Sequence, residues 1–172
     1  MSDDQAKRLL KLGKLLQAEL KPLSTLPSEV APTADQPVLP QSLFIGTRGY
    51  IEKVAHQVNR CYAATCYDAC YVMIRRLLEM LIIESYVHHK REGEIKDADG
   101  NFFMLADLVT RALADFSRLN RNSKKCLADA KKSGDLSAHG GRYTARREYI
   151  DELIVPLRTT VEDLLYEAGL RK

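Results

Sequence analysis

Asp135 and His139 are the residues of this chain whose types and spacing best suit chemistry. On a helix, side chains four positions apart project from nearly the same face. A carboxylate beside an imidazole fixes the tautomer of the ring and raises its basicity, which suits a site that transfers protons or handles phosphate. A structural role is the alternative, in which Asp135 caps a helix and His139 satisfies carbonyls near a helix end. The pair alone leaves both interpretations open.

The segment around this pair is strongly basic. Nine lysines and arginines but only two acidic residues lie between Arg118 and Arg147, whereas the whole chain has a formal net charge of +3. Such a patch raises the local phosphate concentration and favours RNA or a nucleotide as partner. Lys132 lies seven positions before His139, almost on the same side of a helix, and can act as a phosphate clamp. A solvated helix face is the alternative interpretation.

A second set of charged residues interrupts the most apolar part of the chain. Residues Tyr67 to about His89 form a helical pattern that is apolar on nearly every side, as is typical of a central, buried helix. Arg75, Arg76 and Glu79 lie within it, and an unpaired charge in that setting is costly. The spacing predicts ion pairs from both arginines to Glu79, or else a polar site that they line. We predict that this cluster packs against residues 135–139.

Helices must position all these residues, because the sequence shows helical periodicity from Thr47 onward and no useful strand alternation. We predict an all-α bundle of about five helices. Three caps are expected: Thr47 for the first helix, Asp99 or Asn101 for a helix over 102–116, and Thr144 for a last helix kinked at Pro156. A further helix runs from about Asn122 to Lys132 or on to His139, where Gly140 and Gly141 end it.

The first 41 residues differ from the rest. Leucines 9, 12, 16 and 20 form the stripe of an N-terminal helix, and five of the six prolines follow within residues 21–41. A segment so rich in proline cannot be a regular helix and is interpreted as an extended arm. The sequence therefore predicts two parts, residues 1–41 and a helical bundle over 42–172.

Composition limits the class of protein. A chain of 172 residues with 45% hydrophobic and 28% charged residues fits one ordinary globular domain. No apolar run approaches the roughly 20 residues that span a bilayer, and the N-terminus lacks the pattern of a secretion signal. We therefore expect a cytoplasmic protein without a membrane partner. Cys66 and Cys70 lack a second ligand pair, so we predict small buried thiols, no metal and no cofactor.

Two motifs in this order resemble the HEPN superfamily, and within it an uncharacterised bacterial branch. The first is Tyr67-Asp-Ala-Cys-Tyr-Val-Met-Ile-Arg-Arg-Leu-Leu-Glu79, and the second is Gly134-Asp-Leu-Ser-Ala-His139. The resemblance covers roughly Ser42 to Leu170. It implies a helical bundle that forms a homodimer in which the histidine motifs of two protomers meet. Active members of the family are metal-independent endoribonucleases.

The family motif is an arginine, four to six further residues and a histidine, with a polar residue after the arginine. By resemblance His139 is the histidine and Asp135 the polar residue, but Gly134 stands where the arginine would. Lys132 supplies charge at the longest spacing without the planar fork of a guanidinium. Arg75, Arg76 or Arg142 can supply the missing cation from elsewhere in the fold, and Glu79 would orient them.

This departure from the motif leads us to expect an RNA-binding or nucleotide-binding module with weak or no cleavage. Two alternatives remain. One is a metal-independent endoribonuclease, toxin-like or defence-related, that uses His139 as acid and base. The other is a helical module for protein–protein interaction whose basic face is only surface.

Overall fold

The computed structural model describes residues 37–171, and their fold is helical throughout. The five α-helices and two short 3₁₀ helices are α1 (Gly49–Ala63), α2 (Tyr67–His88), α3 (Leu105–Asp115), α4 (Arg121–His139), α5 (Arg147–Glu167), Gln41–Leu43 and Glu92–Ile95. Within residues 37–171, β-type pairing is limited to one isolated antiparallel β-bridge between Lys96 and Phe102. The predicted all-α class is confirmed. The predicted N-terminal helix and most of the proline-rich arm lie outside the described residues.

Helix α2 is the centre of the bundle, as its sequence predicts. It packs against each of the other four α-helices, because apolar side chains project from it in nearly every direction. Its fully buried residues include Ile74, Leu77, Leu78, Leu81 and Ile82. At 1.5 Å per residue, α2 is about 33 Å long. None of the helices in the described part of the chain is both long and apolar enough to cross a membrane.

Helices α2 and α4 pack closely against each other at Gly134. A Cβ atom built there would lie 3.0 Å from Cβ of Arg75, 3.1 Å from its Cδ and 3.3 Å from the carbonyl oxygen of Tyr71. Contacts this short leave little room for any side chain, which explains a buried glycine in the middle of a helix. The crossing also lays the Arg75 side chain over α4 beside Asp135.

The three helix N-caps that were predicted at threonine, aspartate or asparagine residues are wrong, because other residues occupy the cap positions. Thr47 donates its hydroxyl hydrogen bond to the carbonyl of Phe44 at 2.7 Å, and Arg48 takes the cap position of α1. The Asp97 carboxylate accepts hydrogen bonds from the N–H groups of both Asp99 and Asn101, which places these residues in a turn. Helix α3 begins only at Leu105.

The start of α5 depends on a residue of α2 rather than on the predicted cap Thr144. The N–H of Ala145 donates to Oδ1 of Asp68 at 3.0 Å, and α5 begins at Arg147. The helix then runs through Pro156 to Glu167. Helix α4 begins after Asn120, whose side chain accepts from the N–H groups of Asn122 and Ser123, and it ends at His139 before Gly140 as predicted.

Residues 37–41 pack onto the bundle, so the predicted boundary at 42 falls within a packed segment. Val38 and Leu39 are fully buried. The side-chain amide of Asn59 accepts a hydrogen bond from the N–H of Leu39 (2.9 Å) and donates one to the carbonyl of Leu39 (2.8 Å). Arg158 donates a hydrogen bond to the carbonyl of Val38 at 2.9 Å. The bundle therefore begins before Ser42.

Candidate functional site

Three of the predicted site residues, Arg75, Asp135 and His139, line one cleft beside α4. The cleft has a volume of about 480 Å³, and Lys131 also lines it. Its apolar wall consists of residues at the start of α3 and one residue of α4: Met104, Leu105, Ala106 and Leu136. The structure thus brings an imidazole, a carboxylate and two cations together from α2 and α4.

Asp135 links the two cations of the cleft. Its Oδ1 lies 3.1 Å from Nε of Arg75, and its Oδ2 accepts a hydrogen bond from Nζ of Lys131 at 2.7 Å. The hydrogen bond from Lys131, followed by the charges of Arg75 and Lys131 and the proximity of His139, holds the pKa of Asp135 below its ordinary range, although burial opposes this shift. The carboxylate therefore stays ionised at neutral pH.

His139 is the last residue of α4 and is exposed to solvent. Both oxygens of Asp135 point to Arg75 and Lys131, and no hydrogen bond joins Asp135 to His139 among the described residues. The expected orientation of the imidazole by Asp135 is therefore not made in this structure. The ring can reach a ligand in the cleft, but no hydrogen bond from another residue within 37–171 fixes its tautomer.

The guanidinium of the cleft comes from α2 rather than from the motif position on α4. The Arg75 side chain fills the space that a side chain at position 134 would need. The ion pair with Asp135 uses Nε, the two terminal nitrogens of Arg75 make no hydrogen bond to any residue within 37–171, and about a quarter of the side chain (26%) is exposed. Of the three candidate arginines, Arg75 is the one that lines the cleft together with His139.

The other predicted site residues do not line this cleft. Arg76 and Arg142 are exposed, and Lys132 faces a different groove on the other side of Leu136. Glu79 is partly buried but makes no ion pair within residues 37–171, since Arg75 pairs with Asp135 instead. The predicted Arg75–Glu79 and Arg76–Glu79 pairs are therefore wrong, and the predicted contact of the cluster with residues 135–139 holds for Arg75.

Lys131 is a site residue that the sequence interpretation missed. It lies four positions before Asp135 on the same helix, which is the spacing of a helical ion pair. That spacing is the sequence signal that indicates Lys131, whereas the prediction of Lys132 uses its spacing from His139. One position along a helix turns a side chain by about 100°, which is enough to move it from one groove to the next.

A larger groove of about 770 Å³ separates α4 from α5, but it contains no histidine. Its charged lining residues balance one another, with Lys125 and Lys132 against Asp129 and Glu152. Three tyrosines, Tyr71, Tyr143 and Tyr149, also line it. Of these two grooves in residues 37–171, the smaller one brings cations and an imidazole together, so we place the candidate site there although the other groove is larger.

No group of three or more histidine, cysteine, aspartate or glutamate side chains within the described residues could hold a metal ion. No family model, curated protein or solved structure matches the chain.

Proposed function

We propose that this protein is a HEPN-like cytoplasmic module that forms a homodimer and binds RNA or a nucleotide with little or no cleavage. The single observation that carries the proposal is the cleft in which Arg75, Lys131 and His139 surround one carboxylate. Two permanent cations against one anion give this cleft a positive charge, and its lining residues on α4 belong to the basic segment 118–147.

Phosphate is the ligand chemistry that this arrangement favours. The edge of the Arg75 guanidinium that carries its two terminal nitrogens can donate two parallel hydrogen bonds to phosphate oxygens, while Lys131 adds a point charge. Asp135 holds both side chains in place before the ligand arrives, which reduces the side-chain entropy lost on binding. The basic residues outside the cleft attract the rest of a nucleic-acid backbone.

The same geometry supports weak catalysis at most. General acid–base catalysis needs an imidazole held in one orientation within reach of the reacting proton. Asp135 is already engaged by two cations, and position 134 has no room for an arginine that would face the developing phosphorane charge. Binding therefore ranks above cleavage.

Fluorescence anisotropy with a labelled single-stranded RNA oligonucleotide tests the proposal. Arg75→Gln and Lys131→Gln should each weaken binding several-fold, and the affinity of the native protein should fall as salt rises. Lys53→Gln is the matched control, because Lys53 is exposed on α1 and outside the cleft. Equal binding by all three variants would contradict the proposed site.

A metal-independent endoribonuclease is the second candidate, favoured by the position of His139 in the same cleft as the Arg75 guanidinium. Incubation of the protein with total RNA in the presence of a chelator distinguishes the two functions. Robust cleavage that is lost in His139→Ala would place the nuclease first. Failure to bind RNA or nucleotides at any salt concentration would instead favour a protein–protein interaction module.

A further inference from the structure

The junction between α1 and α2 brings two cysteines together through the backbone. The N–H of Cys66 donates to the carbonyl of Cys61 at 2.9 Å, and the N–H of Thr65 donates to the carbonyl of Tyr62 at 3.0 Å. These two bonds define the Schellman ending of a helix, in which the side chains of the first and last residues of the turn lie on the same side and frequently make contact. Here both of those residues are cysteines.

The turn is strained at its centre. Thr65 has a φ of 58°, a left-handed conformation that a β-branched residue rarely adopts. Helix α5 ends in the same hydrogen-bond pattern but has Gly169 at the left-handed position, where the strain is small. The α1–α2 turn thus keeps an unfavourable threonine between its two cysteines.

The two thiols differ in access to solvent. Cys66 is exposed, contrary to the expectation of buried thiols, and Cys61 is half-buried. Burial, and after it the proximity of Cys66, raises the pKa of Cys61. Cys70 is fully buried, so a dissolved oxidant reaches Cys66 first.

We propose that Cys61 and Cys66 form a reversible disulfide when the protein meets a peroxide. The Cys66 thiolate attacks one peroxide oxygen, the O–O bond breaks, and Cys66 becomes a sulfenic acid while hydroxide leaves. The sulfur of Cys61 then attacks the Cys66 sulfur and displaces its oxygen as water once protons are balanced. In total two thiols are oxidised and hydrogen peroxide is reduced to two waters.

The same junction anchors the loop that follows His139. The hydroxyl of Tyr62 donates to Asp151 and accepts from Nε of Arg147 at 3.1 Å. Asp68, two residues after Cys66, accepts the N–H of Ala145 at 3.0 Å. Because Asp68 follows Cys66 so closely, we expect a bond between the cysteines to change the hydrogen exchange of the Ala145 amide.

Peptide mapping of the full-length protein tests this inference. The protein is treated with hydrogen peroxide, alkylated and analysed by tandem mass spectrometry. We expect the peptide with Cys61 and Cys66 to lose two hydrogens and to lose alkylation at both residues, with both changes reversed by dithiothreitol. Cys66→Ser should abolish the bond, and the matched variant Cys70→Ala should retain it.

Several results would overturn the inference. They are alkylation of both Cys61 and Cys66 after peroxide, oxidation of Cys66 to a sulfinic acid beside a free Cys61, a Cys61–Cys70 bond, and a Cys66–Cys66 bond between two chains. Persistence of the loss of two hydrogens in Cys66→Ser would overturn it as well. None of these outcomes depends on RNA binding, so the inference fails or stands independently of the proposed function.

Discussion

Asp135 determines the geometry of the candidate site because it is the partner of both cations. Arg75 reaches it from α2 and Lys131 from one turn earlier on α4. All three side chains are about a quarter to a third exposed, so solvent weakens each ion pair. Their value lies as much in the fixed positions of the two cations as in stability.

We expect Asp135→Asn to lower the free energy of unfolding by about 1 kcal/mol, because it leaves two neighbouring cations without their shared partner. Glu79→Gln is the control, since Glu79 makes no ion pair within the described range, and it should stay within about 0.5 kcal/mol. Chemical denaturation followed by circular dichroism measures both. A larger loss for Glu79→Gln than for Asp135→Asn would show that the ion pairs are assigned to the wrong helix.

The sequence could predict Asp135 and His139 as neighbours because one helix carries both at a spacing of four. It could not predict the partner of Arg75, because helical spacing shows neighbours on α2 and says nothing of α4. Glu79 is the best-spaced partner for Arg75 within α2, but in the folded protein Arg75 pairs with Asp135 of α4 instead. Site residues on one helix were therefore easier to predict than those on two.

At the scale of the elements, the crossing of α2 and α4 depends on Gly134. We expect Gly134→Ala to destabilise the protein by about 1 kcal/mol despite the better helix propensity of alanine, because its Cβ would press on Cβ of Arg75 and the carbonyl of Tyr71. Gly49→Ala is the control, since a Cβ there meets nothing within 4 Å, and it should be neutral or stabilising. Thermal unfolding distinguishes the two directions.

Introducing the arginine of the HEPN motif at the same position should not create a nuclease. A Gly134→Arg side chain would have to displace Arg75 from the helix crossing. We expect a loss of at least about 2 kcal/mol in stability and no gain in chelator-resistant RNA cleavage. A stable Gly134→Arg protein that cleaves RNA would show that the crossing can open and that the missing arginine alone limits activity.

Helix interiors were easier to predict than helix starts. Helix α2 follows from its apolar sequence and the end of α4 from Gly140, since both signals are local. The start of α5 could not be read from Thr144, because the N–H before that helix is bonded by Asp68 from 77 positions earlier. A long-range cap has no signature in the neighbouring sequence.

At the scale of the whole molecule, paired carboxylates make the fold sensitive to acid. The pKa of Asp115 is lowered by hydrogen bonds from Tyr86 and then Arg91, and that of Asp135 by Lys131 and then Arg75. A lowered pKa in the folded state contributes stability above the unfolded value, and this contribution is lost as pH falls through the folded value. Burial raises the pKa of Asp163, which acts in the opposite direction.

We therefore expect the denaturant midpoint to fall when the pH drops below about 4, where unfolded aspartates begin to bind protons. Asp135→Asn removes one of the groups whose pKa is lowered, so this variant should lose less stability between pH 6 and pH 3 than the native protein. The difference between the two losses should approach, as roughly its upper limit, the stability that the variant lacks at neutral pH. Equal losses in the two proteins would mean that Asp135 contributes little to acid sensitivity.

The proposed homodimer can be tested at the apolar wall of the cleft. Met104 is 72% exposed and Leu136 is 38% exposed, and both lie on the wall of the cleft that holds His139. A second protomer that covered this wall would bury apolar surface and bring two His139 side chains near each other. Met104→Glu should then convert the dimer to a monomer at micromolar concentrations in light scattering. Ile45→Glu is the matched control, since Ile45 is 76% exposed and does not line the cleft. A monomeric native protein, or equal dissociation by both variants, would contradict an interface at this cleft.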